Sequence, residues 1–500
     1  ERVVFCHTLD EVLLFEQAVN DHFGYDSYAS SSPARFPRVV DVLTNDPKTL
    51  FAWTRIDAEY ATETLETSIL THKDAWTWTA SKVPPVAQQF VALLDFMCRR
   101  FAHFSNEGHR YVYITQVLYT LLHVFHQHCS AHARQLSVQR HVESRQSLVP
   151  FFSVVNAAQH IVTVLDAWDE NAFFIELMRK VAESDQSRTQ ILKMHLQHSK
   201  TVLTNAAKAA TKTILAREEA VAVHQAIAGP GAMIGPTAAL SAAYSVGSKT
   251  VKSLFGRGEG SPVRDYKTLI AALIGDVEQA VGRSWRKALD NYRKSLLWSQ
   301  SSTPESIDRD VSSELAPVVD LLQRVLVEAH SHLRSEESFS QLWKPLIATL
   351  DDAIFSTACS IMTNAGASSG SGFSLSDAAT AIGAVEPLSP SPRTNEPRPS
   401  WSTAARGQFA FDMNAIALVV QRACKKNPRA YLRKTLDLCR LVEMPSTKLS
   451  EIHEALRGVD EGGTGGDDME QITTILEACT ILTLTPHQVL AFCEAQLGLK

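Results

Sequence analysis

Apolar residues recur every three or four positions through most of the chain, the spacing that gathers them on one face of a helix. The Pro84–Pro85 pair opens one such stripe, since proline suits a first helical turn. Ala87, Phe90, Val91, Leu94, Met97 and Phe101 follow it. Tyr111, Ile114, Leu118, Leu121 and Phe125 form a second stripe, and Ile270, Leu273, Ile274, Val277 and Val281 a third. The strict apolar–polar alternation of strands is not sustained anywhere, and no repeat of fixed period stands out. The pattern predicts an all-α fold of long helices in successive bundles.

Several stretches interrupt it. "YDSYASSSPARFPR" (25–38) reads as a loop after the first helix. Residues 226–262 are rich in Gly, Ala and Ser, and 364–408 in Ser and Pro. The second of these offers too little apolar surface to offset the entropy of ordering it, so disorder is expected there. "GVDEGGTGGDD" (458–468) makes a smaller gap. The expected organisation is a first helical-bundle region at 1–183 and a second at 184–365 carrying the 226–262 insertion. A disordered linker at 366–407 and a C-terminal bundle at 408–500 complete it.

"NAAQHIVTVLDAWDENAFFIEL" (156–177) concentrates a histidine, acids and aromatic rings in about six helical turns. On one continuous helix Val154, Ala157, Ile161, Val164, Leu165, Trp168, Ala172 and Ile175 would share a face. Asp166 and Glu170 would lie off it, with Asp169 and Glu176 near its edge. His160 and Asp166 are too far apart around a helix to form an acid–base pair, and paired catalytic carboxylates would have to converge in a pocket. The stretch is expected to be a packing helix with a solvated acidic side.

At 500 residues the chain is long enough for two to four packed units. Its net charge, 48 − 54 = −6, lacks the basic concentration that nucleic acid requires. The eight cysteines are scattered without a CxxC pair, which suggests reduced thiols in a cytosolic setting. No basic segment precedes an apolar core at the start, so no signal peptide is visible. The first residue is Glu1 rather than Met, which suggests a piece of a longer protein. Ala226–Ser248 is uncharged and long enough to span a bilayer, but it is weakly apolar and broken by Pro230 and Pro236, so no span is expected.

Tests for chemistry give little. In "LLHVFHQHCSAHARQ" (121–135), His128 and His132 share a helix face, but Cys129 stands where a zinc protease needs its glutamate. These residues, with His141, would carry a metal-dependent enzyme as an alternative, whereas a helix running into wetter surroundings explains them without a metal. "GASSG" (366–370) lies in the linker rather than on a strand-to-helix turn. "SVGSKT" (245–250) lacks the earlier glycine of a phosphate loop, and "DEGGTGGDDME" (460–470) lacks the oxygen ligands of a calcium loop. No catalytic residue, cofactor, metal or small-molecule substrate is expected. One segment could contact a membrane surface: Leu240, Tyr244, Val251, Leu254 and Phe255 fall at helical spacing with Lys249, Lys252 and Arg257 nearby.

Six blocks read together: 7–19, 51–76, 82–94, 154–177, 339–355 and 407–420. The most telling residues are Asp10, Glu11, Val12, Leu13 and Phe15, then Trp53, Arg55, Asp57 and Glu59. "LDAWDENAFF" (165–174), "LWKPL" (342–346) and "FAFDM" (409–413) complete the set. In order and approximate spacing it resembles the Rint-one/Tip-twenty family, a subunit of the Dsl (NRZ) vesicle-tethering complex. The resemblance implies an elongated rod of consecutive antiparallel helical bundles with long insertions. It implies a non-enzymatic role in Golgi-to-endoplasmic-reticulum retrograde transport, peripheral on the cytosolic face of that membrane. Its implied partners are endoplasmic-reticulum SNARE proteins and other Dsl/NRZ-type subunits. A helical scaffold of an exocyst- or Golgi-type tether is the alternative. The family's N-terminal region, which pairs with the next subunit, would lie before Glu1. Residues 184–338 match poorly, and Ser389 and Ser391 are candidate regulatory positions in the linker.

Overall fold

A computed structural model describes residues 2–23, 38–183, 254–256, 261–295, 310–364, 403–460 and 473–497. Among these residues no strand is present and every regular element is a helix. The first nine are α1 (Arg2–Phe23), α2 (Val39–Thr44), α3 (Pro47–Thr64), α4 (Pro85–Ala102), α5 (Glu107–Tyr113), α6 (Tyr119–Leu136), α7 (Val138–Glu143), α8 (Val149–Asp169) and α9 (Ala172–Glu183). Next come α10 (Pro262–Arg293), α11 (Ala316–His332), α12 (Glu336–Asn364), α13 (Thr403–Cys424), α14 (Arg433–Glu443), α15 (Ser446–Asp460) and α16 (Pro486–Leu497).

Two compact units result: Glu1–Ser137 with Val149–Leu273, and Val138–Leu148 with Ile274–Lys500. This division differs from one at 183/184 and 407/408, because the helices from α13 onward pack on α11 and α12 and share their unit. The 226–262 insertion and the 366–407 linker fall almost wholly outside the described residues.

In the first unit local sequence signals start the helices. Asp46 caps α3 by accepting from the backbone of Lys48 and Thr49, with Pro47 at the first helical position. Pro85 opens α4 as the Pro–Pro signal requires. Asn106 caps α5 through Gly108 N. π-helical stretches at Leu65–Ile69 and Ile114–Leu118 continue α3 and join α5 to α6. The second turns Gln116 inward, where Thr54 Oγ1 donates to its Oε1 at 2.7 Å. Around these lie the large rings: Phe90 stacks on Phe125 with centroids 4.2 Å apart, and Trp53 meets Phe104 edge-on at 5.0 Å.

α8 is the one described helix long and apolar enough to cross a bilayer. Phe151, Phe152, Val154, Ile161 and Leu165 are instead buried in the bundle, where α8 packs on α4 and α6. The continuous face expected through Ile175 does not exist. The helix ends at Asp169, and Asn171 starts α9 by accepting from Phe173 N at 2.9 Å. The break resets the helical phase, so Ala172 and Ile175 are exposed while Phe174, Leu177 and Val181 turn inward.

The second unit is pinned by three buried carboxylates. Asp412 on α13 accepts from Tyr292 Oη (2.9 Å), Ser312 N (2.9 Å), Ser312 Oγ (2.7 Å) and Gln408 Nε2 (3.0 Å). Asp351 on α12 accepts from the backbone N–H groups of Lys434 and Thr435, the unpaired donors at the start of α14. Asp437 holds the turn before α16 through Leu482 N and Thr483 N. Each replaces water with several donors, which is what burying a carboxylate requires.

Candidate interaction surface

Two of the blocks that carry the family resemblance, at Asp10–Phe15 and Trp53–Glu59, are tied together in the first unit. Asp57, on α3, is almost fully buried, and its Oδ2 accepts from Trp53 Nε1 at 2.8 Å, Arg100 Nε at 2.9 Å and Tyr113 Oη at 2.7 Å. Arg100 Nη1 also donates to Asp10 Oδ1 on α1. One arginine thus clasps α1 and α3 to α4. Burial opposes the charged guanidinium, but Asp57 outweighs it and the Arg100 pKa is raised. Burial, then the Asp57 charge, pushes the Tyr113 phenol well above its usual value, so it stays a neutral donor. With three donors on one oxygen and no exposure, Asp57 is a structural clasp and not a reactive base.

The clasp orients α1. Leu9 and Leu13 turn into the core, and Glu16 accepts from Val40 N at 3.1 Å and pairs with Arg38 at 3.6 Å. That leaves Val4 68%, Leu14 59% and Phe15 60% exposed on the outward side. Positions 4 and 15 are eleven residues apart, just over three full turns, and so lie one above the other. Asp10, Leu13 and Phe15, read together in the sequence, therefore divide their work: two hold the helix and the third stands out from it. In the second unit Phe411 of the "FAFDM" block and Leu418, seven residues on, are likewise exposed on α13, while Phe409, Asp412 and Met413 are buried. In "LWKPL", Leu342, Trp343 and Leu346 are core residues, with Trp343 edge-on to Tyr431 at 4.5 Å.

Sequence reasoning missed Arg100 and Tyr113. The signal for Arg100 was present: a charge one residue before Phe101, on the inward stripe of α4, needs a buried partner.

The histidine alternative finds no convergent ligand set. His128 lies 3.7 Å from Glu66 at the surface, and His132 stacks on Trp76 at 4.5 Å. Cys129, between them, is buried, and burial pushes its thiol up, away from thiolate chemistry. Burial likewise pushes Cys359 up to about 11. Among the described residues no group of three or more His, Cys, Asp or Glu could hold a metal, His141 included.

Of the membrane candidates, Leu240, Tyr244 and Val251 lie outside the described residues, as do Ser389 and Ser391. Leu254 and Phe255 are buried in the first unit, so in this arrangement neither faces a membrane. The phase that put them on a shared helical stripe does not apply, because 254–256 form a bend.

Comparison with known proteins adds to this geometry. Residues 1–365 match the RINT-1/TIP-1 family. A RINT1-like protein of Drosophila melanogaster is 26% identical in an alignment of 228 residues that covers 43% of this chain and 29% of that relative. A chain in the crystal structure of the SNARE Sec20 bound to the Dsl1 complex subunit Tip20 is similar over 97% of this chain and 63% of its own length. It is 12% identical, with a TM-score of 0.48.

Proposed function

We infer a tethering role from one fact: the chain belongs to the RINT-1/TIP-1 family. In this reading it is a non-enzymatic subunit of a Dsl/NRZ-type tether in Golgi-to-endoplasmic-reticulum retrograde transport. It sits on the cytosolic face of the endoplasmic reticulum and engages that organelle's SNARE proteins and other tether subunits. The outward stripe of α1, Val4, Leu14 and Phe15, supports the reading physically. A clasped helix that presents three exposed apolar side chains suits pairing with an amphipathic helix of a partner. Contacts at separate places on the two units would add through effective concentration. Peripheral membrane contact through Leu240, Tyr244 and Val251 belongs to the same reading, and Leu254 and Phe255 would have to leave their pocket to join it.

Affinity purification of the tagged protein from its own cells tests this. Recovery of Dsl/NRZ-type subunits together with an endoplasmic-reticulum SNARE is the expected result. Recovery of exocyst or Golgi-tether subunits in their place would replace it with the other scaffold.

A further inference from the structure

Leu254–Phe255–Gly256 belongs to no helix, yet both its ring and its backbone have partners in the first unit. The Phe255 ring is fully buried against Trp168 (centroids 5.6 Å apart), Phe174 (5.5 Å) and Tyr119 (6.1 Å). Its backbone N–H donates to Asp169 Oδ1 at 3.0 Å, its carbonyl accepts from Val263 N at 3.2 Å, and the Leu254 carbonyl accepts from Tyr119 Oη. A carboxylate takes the N–H, a phenol serves the carbonyl before it, and an aromatic notch takes the ring. These are the elements of a site that recognises a short peptide, and none comes from the insertion itself: Tyr119 starts α6, Trp168 and Asp169 end α8, and Phe174 lies on α9.

We propose that Tyr119, Trp168, Asp169 and Phe174 form a receptor for short linear peptides, filled here by the chain's own Leu254–Phe255–Gly256. The partner it fits is a protein segment with an aliphatic residue, an aromatic residue and a glycine in succession. Side-chain recognition falls on the ring and the aliphatic group, and backbone recognition on the amide between them. Gly256 follows the ring at the edge of a groove of about 510 Å³, which it lines with Val263, Arg264, Lys267, Thr268 and Ala271. On its C-terminal side the triplet is only four residues, 257–260, from Ser261, where the run into α10 begins. So short a tether gives the resident triplet an effective concentration on the order of millimolar. A partner must therefore compete with it, and its binding would free the insertion.

The test uses the full chain and a labelled synthetic peptide of residues 251–260, VKSLFGRGEG. In a variant with Leu254→Gly and Phe255→Gly the notch is vacated. This variant is expected to bind the peptide saturably and at least tenfold more tightly than the unmodified chain does. Adding Asp169→Ala should weaken that binding about tenfold, the loss expected for one hydrogen bond to a charged acceptor. A vacated variant that stays helical, melts cooperatively and fails to bind overturns the proposal. Hydrogen exchange on the unmodified chain decides the matter if the variant does not fold. A separable ligand requires the Phe255 amide to open locally, faster than the amides of α8, and to exchange faster still with excess free peptide. Exchange of Phe255 only through global unfolding, indifferent to peptide, makes the triplet ordinary core and overturns the proposal.

Discussion

Asp57 shows how much one buried carboxylate carries. Three donors meet on its Oδ2, and through Arg100 it reaches Asp10 on another helix. Removing one partner of such a pair leaves the other charge buried and unmatched, a cost of about 3–5 kcal/mol. Asp57→Ala should lower the unfolding free energy of the first unit by about that amount in a urea titration. Arg100→Met in the same background should cost less than it does alone, because the guanidinium it removes has already lost its buried partner and keeps only Asp10. Histidines of the same unit set its response to acid. Burial holds the pKa of His103, His109, His126 and His132 below the ordinary value. The unfolded chain therefore takes up protons first, so this contribution to stability is complete above about pH 6.5 and is lost as the pH falls below it. Melting temperature should drop between pH 7 and 5.5. His132→Phe, which keeps a ring against Trp76 and cannot titrate, should make that drop smaller. Asp95 and Asp265, whose carboxyls burial raises, act in the opposite sense at more acid pH.

Among the elements, long stripes were legible and phase was not. The stripes of α4 and α10 appear close to where periodicity put them: Ala87, Phe90, Leu94, Met97 and Phe101 are inward with Val91 half-buried beside them, and Ile270, Leu273, Ile274, Val277 and Val281 are inward. Residues 156–177 failed at one point, because Glu170–Asn171 carries no Pro or Gly to mark the break. Asn171 was the available sign, since asparagine commonly caps helices and here precedes an apolar run. Asn171→Ala should cost about 1 kcal/mol, read as a lower melting temperature with helix content unchanged at 20 °C. Leu254 and Phe255 show the same limit from another side. Their spacing fits a helix, but the rings of Trp168, Phe174 and Tyr119 come from distant sequence and hold them in a bend. Buried partners of this kind, like Arg100 for Asp57, are tertiary facts that a local pattern does not contain.

Across the whole molecule the all-helical class followed from periodicity alone, whereas the division into units did not. Asp412 on α13 gathers Tyr292 from the end of α10 and Ser312 from before α11, so helices more than a hundred residues apart share one core. No composition shift announces that. The tethering reading came only through the family, because a surface for partners has no fixed motif; the exposure of Val4, Leu14 and Phe15 became visible once the inward side of α1 was known. The most direct test of the tethering account is a titration of the chain with the cytosolic domains of endoplasmic-reticulum SNARE proteins, with a plasma-membrane SNARE as control. The account predicts saturable binding to at least one of the former and none to the control, weakened tenfold or more by Leu14→Asp with Phe15→Asp. Equal binding to the control, or no binding to any endoplasmic-reticulum SNARE, would contradict it.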